Sequence, residues 1–331
     1  MAHDLDFSLG KAAIAFAGET PWHRHGQKAE EGWTLDQWID AAGIGYTVER
    51  IQAFAGDVAV NGAYFNRRSD TGAILGTQTH TERRCEVQPR EIAHFVHGFV
   101  ATDDRFQLQV MGAIRGGVQV WATASFNGDM TVAGEKHRAY LLARTGFDGS
   151  LATYLQMTVI RAVCNNTLSA AFADKRAMLT VRHSTRFDAK AAASRLAKLA
   201  QGVDAFKAVG DALAQNGMGK EEVNKFFRQL LGIPFDAKRK DVSTRKLNQF
   251  GDLSHAYGES VREGAADGSA WAALQAVTRY VDHDRTARGS ENEPDESKRF
   301  VSSQFGSGAD LKGQAWNLLM PRIKDRVLIP A

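Results

Sequence analysis

Cysteine is nearly missing from this chain, with two in 331 residues. That excludes a disulfide-framework scaffold and leaves Cys85 and Cys164 reading as reduced thiols of a reducing compartment. No stretch of about 18 uninterrupted apolar residues occurs, so no membrane-spanning helix and no membrane partner are expected. The opening MAHDLDFSLG carries acids where a secretory leader carries bases, which places the protein in the cytoplasm. The G-x-x-x-x-G-K-[ST] loop is absent, as are a paired-cysteine motif and two histidines at helical i, i+4 spacing. Phosphate-loop hydrolysis and structural zinc are therefore not indicated, and no cofactor is expected. There is also no internal repeat and no low-complexity block.

What is present is an ordinary globular composition, 44% hydrophobic and 24% charged. The length suits one large domain or two. The net charge is only +3, but it is unevenly spread. Residues 1–59 hold 4 Lys/Arg against 9 Asp/Glu, residues 60–190 hold 16 against 11, and the remainder hold 21 against 18. A basic middle favours a polyanionic partner, although an ordinary solvated face is the competing reading.

The pattern along the chain predicts an α+β fold. A curved, mainly antiparallel sheet fills the first 190 residues, and helices from the C-terminal half cover it. Thr34 caps a helix over 33–42 closed by Gly43, and a strand follows over 46–54. A hairpin is predicted over 62–76 around Ser69-Asp70-Thr71-Gly72, and Pro89 opens a helix reaching residue 100. Gly116-Gly117 divides a second hairpin spanning 106–126, and Asp148-Gly149 turns the strand at 140–144 into that at 154–163. Asn165, Asn166 and Thr167 read as caps of a helix through residue 172, which puts Cys164 at a strand-to-helix junction. A strand is expected at 178–182. Beyond it come an alanine-rich helix over 188–215, interrupted at Gly202 and Gly210, and helices over 220–231, 244–264, 270–285 and 309–319. The polar stretch 288–297 reads as a loop. Residues 1–187 thus form a sheet-rich region and 188–331 a helical region packed on it as one integrated domain.

Several short runs together are similar to one known family. They are Val163-Cys164-Asn165-Asn166-Thr167-Leu168 with Arg182-His183-Ser184, Pro21-Trp22-His23, Arg68-Ser69-Asp70-Thr71-Gly72 with Leu75-Gly76, and Ala276-Val277-Thr278 with Tyr280-Val281-Asp282-His283. The chain resembles the phage/plasmid-like proteins grouped as domain of unknown function 932. The resemblance covers most of the length and implies carriage on phages, prophages or plasmids, with no established reaction.

Four constellations have chemistry to offer. Cys164, Asn165 and His183 suggest a thiol nucleophile with a base and an orienting amide, since a thiol at a helix N-terminus ionises near neutral pH. A buried structural cysteine is the commoner outcome. His23, His25, Asp282 and His283 are donors suited to a divalent metal, although a histidine at a helix C-terminus is also favoured by the dipole alone. Gly306-Ser307-Gly308 ahead of a helix, with Lys312 one turn in, suits an anion. Finally Arg67, Arg68, Arg83, Arg84, Arg115, Arg144, Arg161 and Arg182 lie on hairpins, strand ends or strands with tyrosines, phenylalanine and tryptophan near them, a pattern suited to tracking phosphates while rings stack on bases. The leading expectation is a non-enzymatic, homo-oligomeric protein of a mobile element that binds single-stranded nucleic acid, as in DNA annealing or recombination. The alternatives are a thiol-dependent hydrolase or transferase using Cys164 and His183, and an interaction protein that blocks a host defence.

Overall fold

A computed structural model describes residues 5–18, 25–102, 104–161, 167–169, 178–188, 192, 196–286, 302–303 and 306–325. The fold is α+β with a mainly antiparallel, open sheet. Two compact units share the chain. The first comprises Met1–Asn127, Tyr140–Met157 and Met178–Leu199, and the second Gly128–Ala139, Thr158–Ala177 and Ala200–Ala331.

The first unit is built around alternation. Strands β5 (Phe106–Ile114) and β6 (Gln119–Phe126) pair antiparallel across the Gly116-Gly117 turn, with Ile114 opposite Gln119. Strand β6 then pairs β8 (Glu135–Gly146), and β9 (Thr153–Arg161) follows round the Asp148-Gly149 turn. On the other side β5 meets β1 (Ile14–Phe16), which pairs in parallel with β2 (Gln27–Lys28). Strand β11 (Met178–Val181) lies antiparallel to β9. Helix α2 (Pro89–Thr102) packs on β5 and β6, burying Ile92, Ala93, Phe95, Val96 and Phe99. Packing of this kind covers the apolar face that a one-sided sheet must hide. Helix α1 (Leu35–Ala41) starts at a capping box, in which the Gln37 amide donates to Thr34 Oγ1 and the Thr34 amide to Gln37 Oε1.

The hairpin predicted at 62–76 is partly present. Arg68 N donates to Ala73 O at 2.9 Å and Leu75 N to Asn66 O at 2.8 Å. The long ladder of β4 (Val58–Arg68), however, runs to β3 (Val48–Ala55) as a separate two-stranded ribbon turned at Gly56-Asp57. A second correction concerns the helix expected after Asn165. Thr167–Ser169 form a strand, β10, antiparallel to β9, with Thr167 opposite Ile160. Cap residues lower the cost of starting a helix, yet a short run gains more from a ready-made strand edge than from one or two helical turns.

In the second unit β7 (Met130–Val132) turns back on the start of β8, and helices follow. These are α3 (Leu196–Ala214), α4 (Lys220–Leu230), α5 (Thr244–Arg262), α6 (Ala270–Arg279) and α7 (Ser307–Leu319). The core is aromatic. Phe206 stacks on Trp316 with centroids 5.5 Å apart and meets the edge of Trp271 at 6.2 Å. Trp271 Nε1 donates to Glu135 Oε2 at 2.8 Å, which satisfies a buried indole donor. Helix α3 runs unbroken through Gly202 and Gly210, contrary to the predicted interruption. A Cβ on Gly210 would come within 2.3 Å of Val132 Cγ1, so this glycine serves close packing and is not a helix stop. The helix expected over 270–285 changes pitch at Tyr280–Asp284, a π segment in which Arg285 N bonds back to Tyr280 O at 2.7 Å. Among the described residues no helix is long and apolar enough to cross a membrane.

Candidate functional site

The arginine set divides by burial. Arg68 is wholly enclosed, with 0% of its side chain exposed. Its Nε and Nη2 donate to the two oxygens of Asp70 at 2.9 and 2.8 Å, and Nη1 reaches Asp6 and, at 3.1 Å, Gly116 O. Its guanidinium lies 4.1 Å from the Tyr46 ring centroid, and Tyr46 itself donates to Gly117 O at 2.6 Å. Burial pushes the Tyr46 phenol up. Burial alone would also raise the Asp70 carboxyl, but the Arg68 guanidinium outweighs it and holds that carboxyl below its ordinary range. Arg68 is therefore a core ion-pair residue, and the expectation that it faces a phosphate is corrected. Arg144 is also enclosed, 4.9 Å from the Tyr154 ring centroid, and burial draws its guanidinium down to about 9. It too is withdrawn from the candidate surface.

The others differ. Arg67 pairs with Glu49 at 2.7 Å on the β3–β4 ribbon. Arg115 occupies the β5–β6 turn at φ 56°, with Nη1 3.8 Å from Asp148 Oδ2. The Arg161 backbone ends β9, and its side chain lies outside the described residues. Arg182 is exposed.

Around Arg182 the structure assembles a surface that sequence spacing does not show. The amide of Cys85 donates to the carbonyl of His183, tying the loop 81–86 to the turn 182–186. Arg83 flanks this bond on one segment, with Arg182 and Arg186 on the other, all exposed and none ion-paired among the described residues. Arg50 adjoins them, its Nη1 donating to Glu82 O at 2.7 Å and its guanidinium 5.3 Å from the Tyr64 ring centroid.

Beneath the loop lies a polar core. Glu86 Oε1 accepts from Asn66 Nδ2 at 2.7 Å and from Arg84 Nε, while Arg84 Nη2 donates to Gly146 O at 3.1 Å. His183 Nδ1 stands 3.2 Å from Glu86 Oε2. Burial would raise the Glu86 carboxyl, but His183, Arg84 and Asn66 together bring it below the usual range. His80 Nε2 lies 3.1 Å from Phe147 O, and burial, assisted by Arg84, lowers its imidazole. This core fixes the two basic segments in place.

Cys164 and Asn165 lie outside the described residues, and His183 is buried with Nδ1 facing Glu86 Oε2. Cys85 is a free thiol, half-exposed, with Sγ 3.8 Å from Arg83 O. His23 is outside the described residues, and His25 meets the Phe7 ring edge-on at 5.7 Å. At Asp282 the cation is Lys312, whose Nζ lies 2.6 Å from Oδ1 with both side chains buried, so Asp282 is already neutralised. No group of three or more metal-binding side chains occurs among the described residues, His283 and Asp282 included. The same pair corrects the anion site. Burial lowers the Lys312 ammonium, and Asp282 occupies it. Gly308 is a packing residue, since a Cβ there would come within 2.7 Å of Val281 Cγ1 and 2.8 Å of Ser302 O. Of that motif Gly306 precedes α7 and Ser307 Oγ accepts from Arg285 Nη2 at 3.2 Å.

A second surface, in the other unit, carries no mark in the sequence motifs. The loop between α4 and α5 presents Phe235, 62% exposed, followed by exposed Lys238, Arg239 and Lys240.

The family described as Domain of unknown function (DUF932) matches residues 82–303, two thirds of the chain, and the chain belongs to that family. The match begins at the Arg83 loop and takes in both the Arg182 turn and the loop bearing Phe235. No curated protein and no solved structure matches it.

Proposed function

We propose that this protein binds single-stranded nucleic acid without catalysing a reaction, and that the Arg83, Arg182 and Arg186 surface is the primary contact. The observation that carries the reading is the Cys85–His183 hydrogen bond, which joins two segments bearing three exposed arginines that form no ion pair among the described residues. Guanidiniums that no carboxylate neutralises keep their full attraction for phosphate, and each phosphate they contact releases counterions. Arg50 above Tyr64 adds a further cation and a ring at the edge of the same surface. Carriage on a phage or plasmid, assembly into a homo-oligomer and the annealing of complementary strands belong to this reading, which the resemblance to phage/plasmid-like proteins favours.

The test is fluorescence anisotropy with labelled oligo(dT) at low and moderate salt. Wild-type protein binds with a steep salt dependence, and the variant R83Q/R182Q/R186Q loses about 2 from the slope of log K against log salt, because each single-strand phosphate contact contributes about 0.7. An absence of binding at low salt, or a triple variant with wild-type affinity and slope, overturns the proposal.

A further inference from the structure

We infer that the loop after α4 together with the first turn of α5, residues 232–246, is a second nucleic-acid contact, a platform on which one base stacks on Phe235 while phosphates lie against Lys238, Arg239, Lys240 and Arg245. The inference rests on the single-strand reading above and adds to it how bases, as distinct from phosphates, are held.

Phe235 is 62% exposed, and the backbone on either side of it is braced. Arg228 Nη2 donates to Pro234 O at 2.6 Å and to Ala237 O at 3.0 Å, bracing both ends of the turn that presents Phe235. Lys246 Nζ closes the base of the loop on Gly232 O at 2.8 Å. The charge is also one-sided, with five Lys/Arg between 232 and 246 against Asp236 and Asp241. Lys238, Arg239, Lys240 and Arg245 are exposed and form no ion pair among the described residues. Finally, α5 begins directly behind the loop with no acidic residue in its first turn and no side-chain bond from Ser243, so its positive end adds to the same field.

Five cations against two acids in one short segment leave a net repulsion, which a polyanion turns into attraction. A cation cluster alone would suit any polyanion. The rigidly presented ring selects single strands, because an unpaired base offers a flat face for it and a duplex does not.

The experiment uses the full chain with three probes: oligo(dT), an abasic deoxyribose-phosphate strand of equal length, and phosphatidylserine vesicles. Phe235→Ala weakens oligo(dT) binding by about fivefold to a hundredfold, the range of one stacked base. It leaves abasic-strand binding and the unfolding midpoint unchanged, and Phe235→Trp keeps wild-type affinity. The variant K238Q/R239Q/K240Q lowers the salt slope by about 2 on both strands. If both variants bind as wild type while R83Q/R182Q/R186Q does not, the platform is wrong and the proposed function stands. Equal loss on oligo(dT) and the abasic strand in Phe235→Ala overturns stacking. Wild-type protein that binds only the vesicles overturns platform and function together.

Discussion

Removing the Arg68 charge tests whether this residue is structural. In Arg68→Met the length and apolar stem persist, so the change isolates the guanidinium. Asp6, whose side chain is 1% exposed, would keep Ser8 as a donor but lose its cation, and Asp70 would lose both guanidinium bonds. Gly116 O would lose its partner, and the cation over Tyr46 would vanish. Breaking one side of a buried pair costs about 3–5 kcal/mol, chiefly through the stranded opposite charge. If that is the source of the loss, adding Asp6→Asn restores a large part of it, so the double variant is more stable than the sum of the singles predicts. Hydrogen exchange at the amides of 111–113 and 120–122 reads the opening of this unit directly. Oligo(dT) affinity below the unfolding transition stays at the wild-type value. A loss below about 1 kcal/mol, or strict additivity in the double variant, would refute the account.

Glu86→Gln makes the pH dependence visible. A carboxyl lowered on folding contributes stability above its unfolded range and loses it as pH falls through the folded value. The stability gap between wild type and the variant is therefore full at neutral pH and closes on acidification, as urea titrations at several pH values measure; a gap independent of pH contradicts the Glu86 network. Gly308→Ala forces a methyl against Val281 and the Ser302 carbonyl and costs about 1–3 kcal/mol by overpacking, whereas a neutral result in thermal unfolding means the backbone there has room. A chain ending near Asp188 removes Trp271, Phe206 and Trp316 from the unit that also holds Val132, Glu135 and His137. That fragment is expected to be insoluble or molten, and a soluble fragment with cooperative unfolding would show that 128–139 needs no helical partner.

Local signals were sufficient for much of the fold. The Thr34 and Gln37 capping box, the Gly116-Gly117 and Asp148-Gly149 turns and the alternation of β5 and β6 are written in near neighbours, and the α+β class follows from them. Non-local choices were not legible. Thr167–Ser169 became a strand because β9 had an edge to offer, and Gly210 sits within a helix because Val132 and Trp271 press on it. The candidate site shows the same division. Arginine count and a basic middle pointed towards a polyanion, but charge along a sequence does not say which guanidiniums keep solvent. Arg68 has the same composition as Arg182 and the opposite fate, because Asp6 and Asp70 converge on it from distant or turned segments. One backbone hydrogen bond between Cys85 and His183 joins Arg83 to Arg182 and Arg186 across about a hundred residues of chain. Residue type thus determined which chemistry was available, and tertiary structure decided which of those groups were neutralised inside and which were left facing water.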